Sequence, residues 1–232
     1  TMSKRNRRRT PPKPTVVFDY GGVLSAGHDP VPDVHELLGG DASALEVALW
    51  RERDAYDRGT TTQAEYWGAV AESVGVQELS EEEIAELQKA DNRYFLKLDP
   101  RSRELIHDLA RNGVRLVLLS NASEAFGEAV RRADWFEAFT FAVISGEERA
   151  VKPEPEIYEV LLEVLSHETG GVSIPSAVIF FDDREDNIGA ARALGIDAHH
   201  WPRNGESADA DQVEHGASIA RRVLAERGVP LD

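Results

Sequence analysis

The run Val16-Val17-Phe18-Asp19-Tyr20-Gly21-Gly22-Val23-Leu24 constrains this chain more than any other stretch. Three apolar β-formers in succession are the pattern of a strand buried on both faces. Gly21-Gly22 punctuates that strand and lets the backbone turn sharply. Asp19 is thereby put at the carboxyl end of a central strand, where open α/β sheets hold their ligands. A lone carboxylate is costly to bury there unless a metal or another cation compensates it. The alternative is a loop aspartate that caps the turn.

Further along, strands alternate with helices. Strands are expected at 114–119, 139–144, 177–181 and 198–201, and helices at 101–112, 125–132, 155–165, 187–194 and 217–227. That alternation predicts an α/β fold with a doubly wound parallel sheet. Between the first strand and residue 100 the pattern changes. Helical stretches at 34–38, 42–56, 63–74 and 81–95 follow one another without a strand signal. Thr61 or Thr62 can cap the third, and Ser80 with Glu83 has the spacing of a capping box. The expected organisation is a core of 15–24 and 99–232, an all-helical insertion over 25–98, and a disordered basic tail over 1–14.

Charge narrows the function. The formal net charge is −16, with 42 acidic against 26 basic residues. Nucleic acid and anionic membranes both call for a basic surface, so neither is an expected partner. The cluster Lys4, Arg5, Arg7, Arg8 and Arg9 reads as a solvated tail, with no apolar segment behind it for a secretory signal. The chain has no cysteine, which excludes disulfides, thiolate metal sites and a cysteine nucleophile, and suits a cytoplasmic location. No apolar stretch approaches the ~20 residues of a membrane span.

Polar residues collect where strands end: Asp19, Ser120-Asn121, the loop leading to Lys152, and Asp182-Asp183. Singly each fits a turn or a cap. In a parallel sheet all of them share one edge, and the set suits phosphoryl transfer. Carboxylates and a carbonyl make a hard-oxygen site for Mg²⁺. Aspartate can attack phosphorus to form an aspartyl-phosphate. Ser120 and Lys152 would hold phosphoryl oxygens and spread the transition-state charge.

The order of FDYGGVL, LLSNAS, VKPEPEIY and FFDDREDN resembles the four motifs of the haloacid dehalogenase-like (HAD) hydrolase superfamily. The resemblance covers nearly the whole chain after residue 14. It is closest to the subfamily IA phosphatases whose first motif carries Gly-Gly or Gly-Asn after the nucleophile, with the helical insertion similar to a C1-type cap. Glucose-1-phosphate phosphatases and the amino-terminal domain of soluble epoxide hydrolases are near this group. The resemblance implies that Asp19 is nucleophile and Mg²⁺ ligand, joined by the Gly21 carbonyl and Asp183, with Asp182 beside the metal through its water. It implies that Ser120 and the Asn121 amide bind phosphate, next to the Tyr20-Gly21-Gly22 loop, and that Lys152 neutralises nucleophile and phosphoryl group. Asp186 either supports this set from behind or caps a helix.

One position departs from the pattern. The superfamily's phosphatases usually place a general acid two residues after the nucleophile, and here that residue is Gly21. A missing general acid costs about 10²–10⁴ in rate. The loss shrinks for an acidic leaving group, as in a sugar 1-phosphate, or where the substrate or a cap residue supplies the proton. His28 is one candidate donor. The segment Asp57-Arg58-Gly59 leading to Tyr66-Trp67 resembles the cap segment of related hydrolases, where a charged residue and aromatics face the active site. Arg51, Arg53, Tyr56, Arg58 and Trp67 are candidate contacts, although packing inside the cap is the stronger reading for Tyr56 and Trp67. His199-His200 lacks the partners for a zinc site. The expected activity is a Mg²⁺-dependent phosphatase of a small phosphorylated metabolite, acting as monomer or homodimer. Two alternatives stay open. A 2-haloacid dehalogenase uses the same aspartate on carbon, and a binding or regulatory protein would keep the fold with Gly21 disarming it. A phosphonoacetaldehyde hydrolase needs a cap lysine, and no lysine lies between Ser25 and Gln88.

Overall fold

Strand β1 (Thr15–Phe18) is buried along its whole length. It is followed by four helices: α1 (Val31–Leu38), α2 (Ala42–Asp57), α3 (Gln63–Glu72) and α4 (Glu81–Phe95). Then come α5 (Pro100–Arg111), β2 (Arg115–Ser120), α6 (Glu124–Val130), β3 (Phe141–Ile144), α7 (Ser145–Glu148) and α8 (Pro155–Thr169). The chain closes with β4 (Val178–Asp182), α9 (Glu185–Ala193), β5 (Asp197–His200) and α10 (Gly216–Glu226). This computed structural model describes residues 13–27, 29–171, 173–204 and 213–231. The predicted basic tail before Lys13 and the candidate proton donor His28 lie outside the described residues.

Among the described residues the strands form one five-stranded sheet in the order β3-β2-β1-β4-β5. Every neighbouring pair is parallel. The α/β fold expected from the alternation is therefore present. Period-two alternation sends Val16, Phe18, Leu116, Leu118, Ile179 and Phe181 to one face, under α5, α6 and α10. It sends Val17, Val117, Leu119, Val178 and Phe180 to the other, under α8 and α9. Both faces are covered, which is why these strands read as unbroken apolar runs. At roughly 25 cal/mol per Å² of apolar surface removed from water, this two-sided burial is the main term holding the sheet together.

Helices α1–α4 bury a separate apolar cluster that includes Val34, Leu45, Leu49, Tyr56, Tyr66, Trp67, Val70 and Leu87. Their starts follow local chemistry. The Asp41 side chain accepts from the Ala44 amide, and Thr62 with Glu65 and Ser80 with Glu83 form full capping boxes. The two chain segments that enter and leave this insert run side by side. Ala26 donates to the Lys97 carbonyl at 2.9 Å and Asp99 to the Leu24 carbonyl at 2.8 Å.

Some predicted bounds shift. Helix α1 begins at Val31, because Pro32 sits in the first turn where its missing N–H is harmless. Residues 139–140 precede β3 rather than belonging to it, behind a short 3-10 turn at Asp134–Ala138. The short helix α7 has no counterpart in the sequence reading.

Candidate active site

The carboxyl ends of β1, β2 and β4 lie side by side, and the polar residues converge there. Asp19 carries the β1–β4 ladder one step further, its amide donating to the Phe181 carbonyl at 2.9 Å. Just beyond it, Gly22 has φ of 75°, and a Cβ there would lie 2.5 Å from Arg203 Cγ and 3.0 Å from Asp183 Oδ2. Only glycine fits that turn. The Gly22 amide donates to Ser25 Oγ at 2.9 Å, which closes the loop.

Lys152 stands at the centre. Its Nζ lies 2.7 Å from Asp19 Oδ1 and 2.7 Å from Asp182 Oδ2, and donates to the Leu119 carbonyl at 3.0 Å. The backbone of Lys152 is clasped by the side chain of Asn121. The Lys152 amide donates to Asn121 Oδ1 at 2.8 Å, and Asn121 Nδ2 donates to the Lys152 carbonyl at 2.9 Å. Asp182 is fully buried, and its other oxygen accepts from the Arg184 amide and from Asn187 Nδ2, each at 2.9 Å. Both of its oxygens are therefore engaged in holding Lys152 and the turn into α9.

Asp19, Asp182 and Asp183 each offer an oxygen, and these atoms lie within 4.8 Å of one another. Burial pushes the Asp19 carboxyl up to about 7; Lys152 opposes this while Asp182 and Asp183 reinforce it. Asp183 is raised for the same reason, with Asp182 adding to burial and Arg203 pulling back. Burial alone would lower the Lys152 ammonium, but Asp182 and Asp19 more than offset it and the group is raised. Even with Lys152 and with Arg203, which pairs with Asp183 at 3.1 Å, three crowded carboxylates are one positive charge short. The donor set is all hard oxygen, which fits Mg²⁺.

A cavity of about 90 Å³ lies between this cluster and the insert. Its floor is Tyr20, Gly21, Ser120 and Asn121, and its roof includes Trp50, Arg53, Asp57, Asp91 and Phe95. Tyr20 turns its ring inward, where it stacks on Trp135 at 5.7 Å and packs against Phe126 at 5.1 Å. Arg53 is buried and forms a two-pronged pair with Asp91, at 2.7 and 2.9 Å. Its guanidinium also sits over the Tyr66, Phe95 and Trp50 rings.

The structure thus brings together Asp19, Gly21, Gly22, Ser120, Asn121, Lys152, Asp182 and Asp183. The candidates from the insert divide. Arg53 reaches the cavity, whereas Arg51 is exposed and pairs with Glu52. Tyr56 and Trp67 pack inside the insert, both donating to Gln88 Oε1. Arg58 is engaged by Glu154. Asp186 does not cap α9, because Arg184 holds that position and pairs with Asp186 in the first turn. Sequence reasoning missed Asp91 as a cavity residue. It marked the segment Asp57-Arg58-Gly59 but took Arg58 as the contact, whereas Asp57 is the residue of that segment that lines the cavity.

Residues 13–195 match the family described as haloacid dehalogenase-like hydrolase. The chain belongs to that family. As a HAD hydrolase it is 27% identical over 209 residues to phosphatase MT3486 of Mycobacterium tuberculosis, covering 84% of this chain and 89% of the relative. It is also 27% identical over 193 residues to (S)-2-haloacid dehalogenase 1 of a Pseudomonas species, covering 78% and 80%. Among solved structures it resembles the HAD family enzyme bt-2542 from Bacteroides thetaiotaomicron, determined with magnesium and inorganic phosphate. That likeness has a TM-score of 0.63 and 21% identity, and covers 87% of this chain and 100% of the other.

Proposed function

We propose that this HAD hydrolase is a Mg²⁺-dependent phosphatase acting on a small phosphorylated metabolite through an aspartyl-phosphate, sugar phosphates being within its range. The observation that carries the reading is the contact of Asp19 and Lys152 beside Asp182 and Asp183, opening onto a cavity with Ser120 and Asn121 in its floor. The phosphatase among its relatives and the phosphate-bound structural neighbour support it. Asp19, Asp183 and the Gly21 carbonyl would hold Mg²⁺, with Asp182 alongside. When bound, the ion supplies positive charge between the carboxylates and the phosphoryl group.

Asp19 attacks phosphorus in line. Lys152, held by Asp182 and by the Asn121 clasp, neutralises the nucleophile and then the phosphoryl oxygens. The Ser120 hydroxyl and the Asn121 amide bind those oxygens from the end of β2. Residues 25–98 act as a cap on the core of 15–24 and 99–232, and closure keeps water away during the first step. Substrate enters while the cap is open. The dehalogenase reading has sequence similarity behind it, but the acidic pair Asp182-Asp183 beside Asp19 favours a metal-assisted reaction. Among the described residues no helix is long and apolar enough to cross a membrane, and the cysteine-free acidic chain suits the cytoplasm.

The test is phosphate release from a panel of phosphorylated metabolites, with Mg²⁺ or EDTA. Metal-dependent turnover that vanishes in Asp19→Asn is the expected result. No release from any ester, or release untouched by the substitution, would sink the reading.

A further inference from the structure

Gly21 occupies the position from which the superfamily's phosphatases usually donate a proton, yet nothing in the backbone demands glycine there. Its φ is not in the left-handed region, unlike that of Gly22. An added Cβ at Gly21 would meet nothing within 4 Å among the described residues. The space that an acid would fill is open, and it borders the cavity under the helical insert.

Across that cavity lies Asp57, the last residue of α2. Its backbone carbonyl accepts from the Ser145 hydroxyl, and its carboxylate accepts from the Ser123 amide at the start of α6. The residue is thus tied to the core at two points. It lines the cavity with Gly21 and Ser120, and also a neighbouring recess with Asn121 and Lys152. Two other lining residues carry a buried donor with no partner among the described residues: Tyr20 at its Oη and Arg53 at its Nε. Buried donors left open in this way call for an acceptor such as a bound water or a ligand oxygen.

We propose that Asp57 is the general acid for the leaving group, delivered from the helical insert in place of the aspartate that the core lacks at Gly21. The proposal rests on the phosphatase reading above. Asp19 forms a bond to phosphorus while the bond from phosphorus to the ester oxygen breaks, with its electron pair passing to that oxygen. The oxygen takes the proton of the Asp57 carboxyl and leaves as an alcohol. In the second step water attacks the phosphorus of the aspartyl-phosphate and gives a proton to the Asp57 carboxylate. The Asp19–phosphorus bond breaks, inorganic phosphate departs, and both aspartates return to their starting states.

The surroundings suit a proton donor at neutral pH. Burial raises the Asp57 carboxyl to about 7. Arg53 on the same helix and the Ser123 amide oppose this, while Asp91 on α4 and Asp54 on α2 add to it. Lys152 and Arg184 face the recess on the other side, and Arg58 is occupied by Glu154. A general acid works best when it titrates near the operating pH. Because Asp57 belongs to the insert, the proton is available only when the insert is seated, which couples leaving-group departure to closure.

The experiment compares two esters on wild type, Asp57→Asn and the double variant Asp57→Asn with Gly21→Asp. One ester is para-nitrophenyl phosphate, whose phenol leaves without help. The other is the best alkyl monoester of the panel. Asp57→Asn should slow kcat on the alkyl ester by about 10²–10⁴ and on the aryl ester by less than about tenfold. The falling limb of the alkyl-ester pH profile near 7 should disappear in the same variant. Adding Gly21→Asp should restore alkyl turnover at least tenfold. Equal losses on both esters would overturn the proposal, since a residue that merely seats the insert slows both alike. A wild-type chain silent on both esters would overturn the phosphatase reading itself, and the proposal with it.

Discussion

Arg58, which follows α2, and Glu154, which precedes α8, form a two-pronged ion pair at 2.9 and 3.0 Å that ties the insert to the core. Next to it Gly59, at φ of 79°, lies so close that a Cβ would come within 2.3 Å of the Gly146 carbonyl oxygen. Gly59→Ala should therefore push the insert, and Asp57 with it, off the core while leaving the groups on the core in place. Steady-state kinetics should show turnover reduced tenfold or more. Glu154→Gln removes only a half-exposed pair and should change stability by at most about 1 kcal/mol. Normal turnover in Gly59→Ala would show that closure at this seam is not required.

Lys152 separates Asp19 from Asp182, and its removal leaves two buried carboxylates uncompensated. Breaking a buried pair by deleting one partner costs about 3–5 kcal/mol. Lys152→Met should lose stability on that scale in urea titration. Added Mg²⁺ should recover part of it, because an ion that binds only the folded state stabilises that state. An unchanged urea midpoint would contradict this picture of the cluster.

Asp57 makes stability depend on pH. Its folded carboxyl titrates near 7, against about 3.9 when unfolded, so the proton favours the folded state. That contribution is fully present below pH 4 and is lost as the pH rises through 7. Asp57→Asn escapes the loss. Thermal unfolding should find the variant gaining on wild type between pH 4 and 8, by about 1–4 kcal/mol once screening is discounted. A gap that does not vary with pH would place the titration elsewhere.

Inside the insert, Gln88 Oε1 accepts from Tyr56 Oη at 2.5 Å and from Trp67 Nε1 at 2.9 Å. Gln88→Leu strands both donors and should cost about 2–4 kcal/mol. Gln88→Glu keeps the acceptor and should cost less. Calorimetry on the two variants checks the order.

Much of this was legible in advance for a physical reason. Strands buried on both faces must read as apolar runs, so Val16–Phe18 and the runs ending at Ser120 and Asp182 announce themselves. A polar residue that ends such a run lands on the ligand edge of the sheet, which placed Asp19, Ser120 and Asp182 together. What stayed hidden depends on partners far apart in sequence. Asn121 clasps Lys152 and Arg53 meets Asp91 only because helices and strands fold one over the other, and no local pattern records that. Asp57 was half visible. Its segment resembles a cap stretch that faces the active site, but only the approach of Ser123 and the cavity above Gly21 single it out from its neighbour Arg58. For Asp186 the residue type suited a cap, but Arg184 already holds the cap position of α9, and an aspartate two residues later pairs with it instead.

The central claim is that Asp19 carries a phosphoryl group during turnover. Rapid acid quench of the enzyme turning over para-nitrophenyl phosphate, followed by peptide mass spectrometry, tests it directly. The account predicts one added phosphoryl group on the peptide holding Asp19, released by neutral hydroxylamine and absent from Asp19→Asn. A wild-type enzyme that releases phosphate with no such adduct, or with the adduct on another residue, would contradict it.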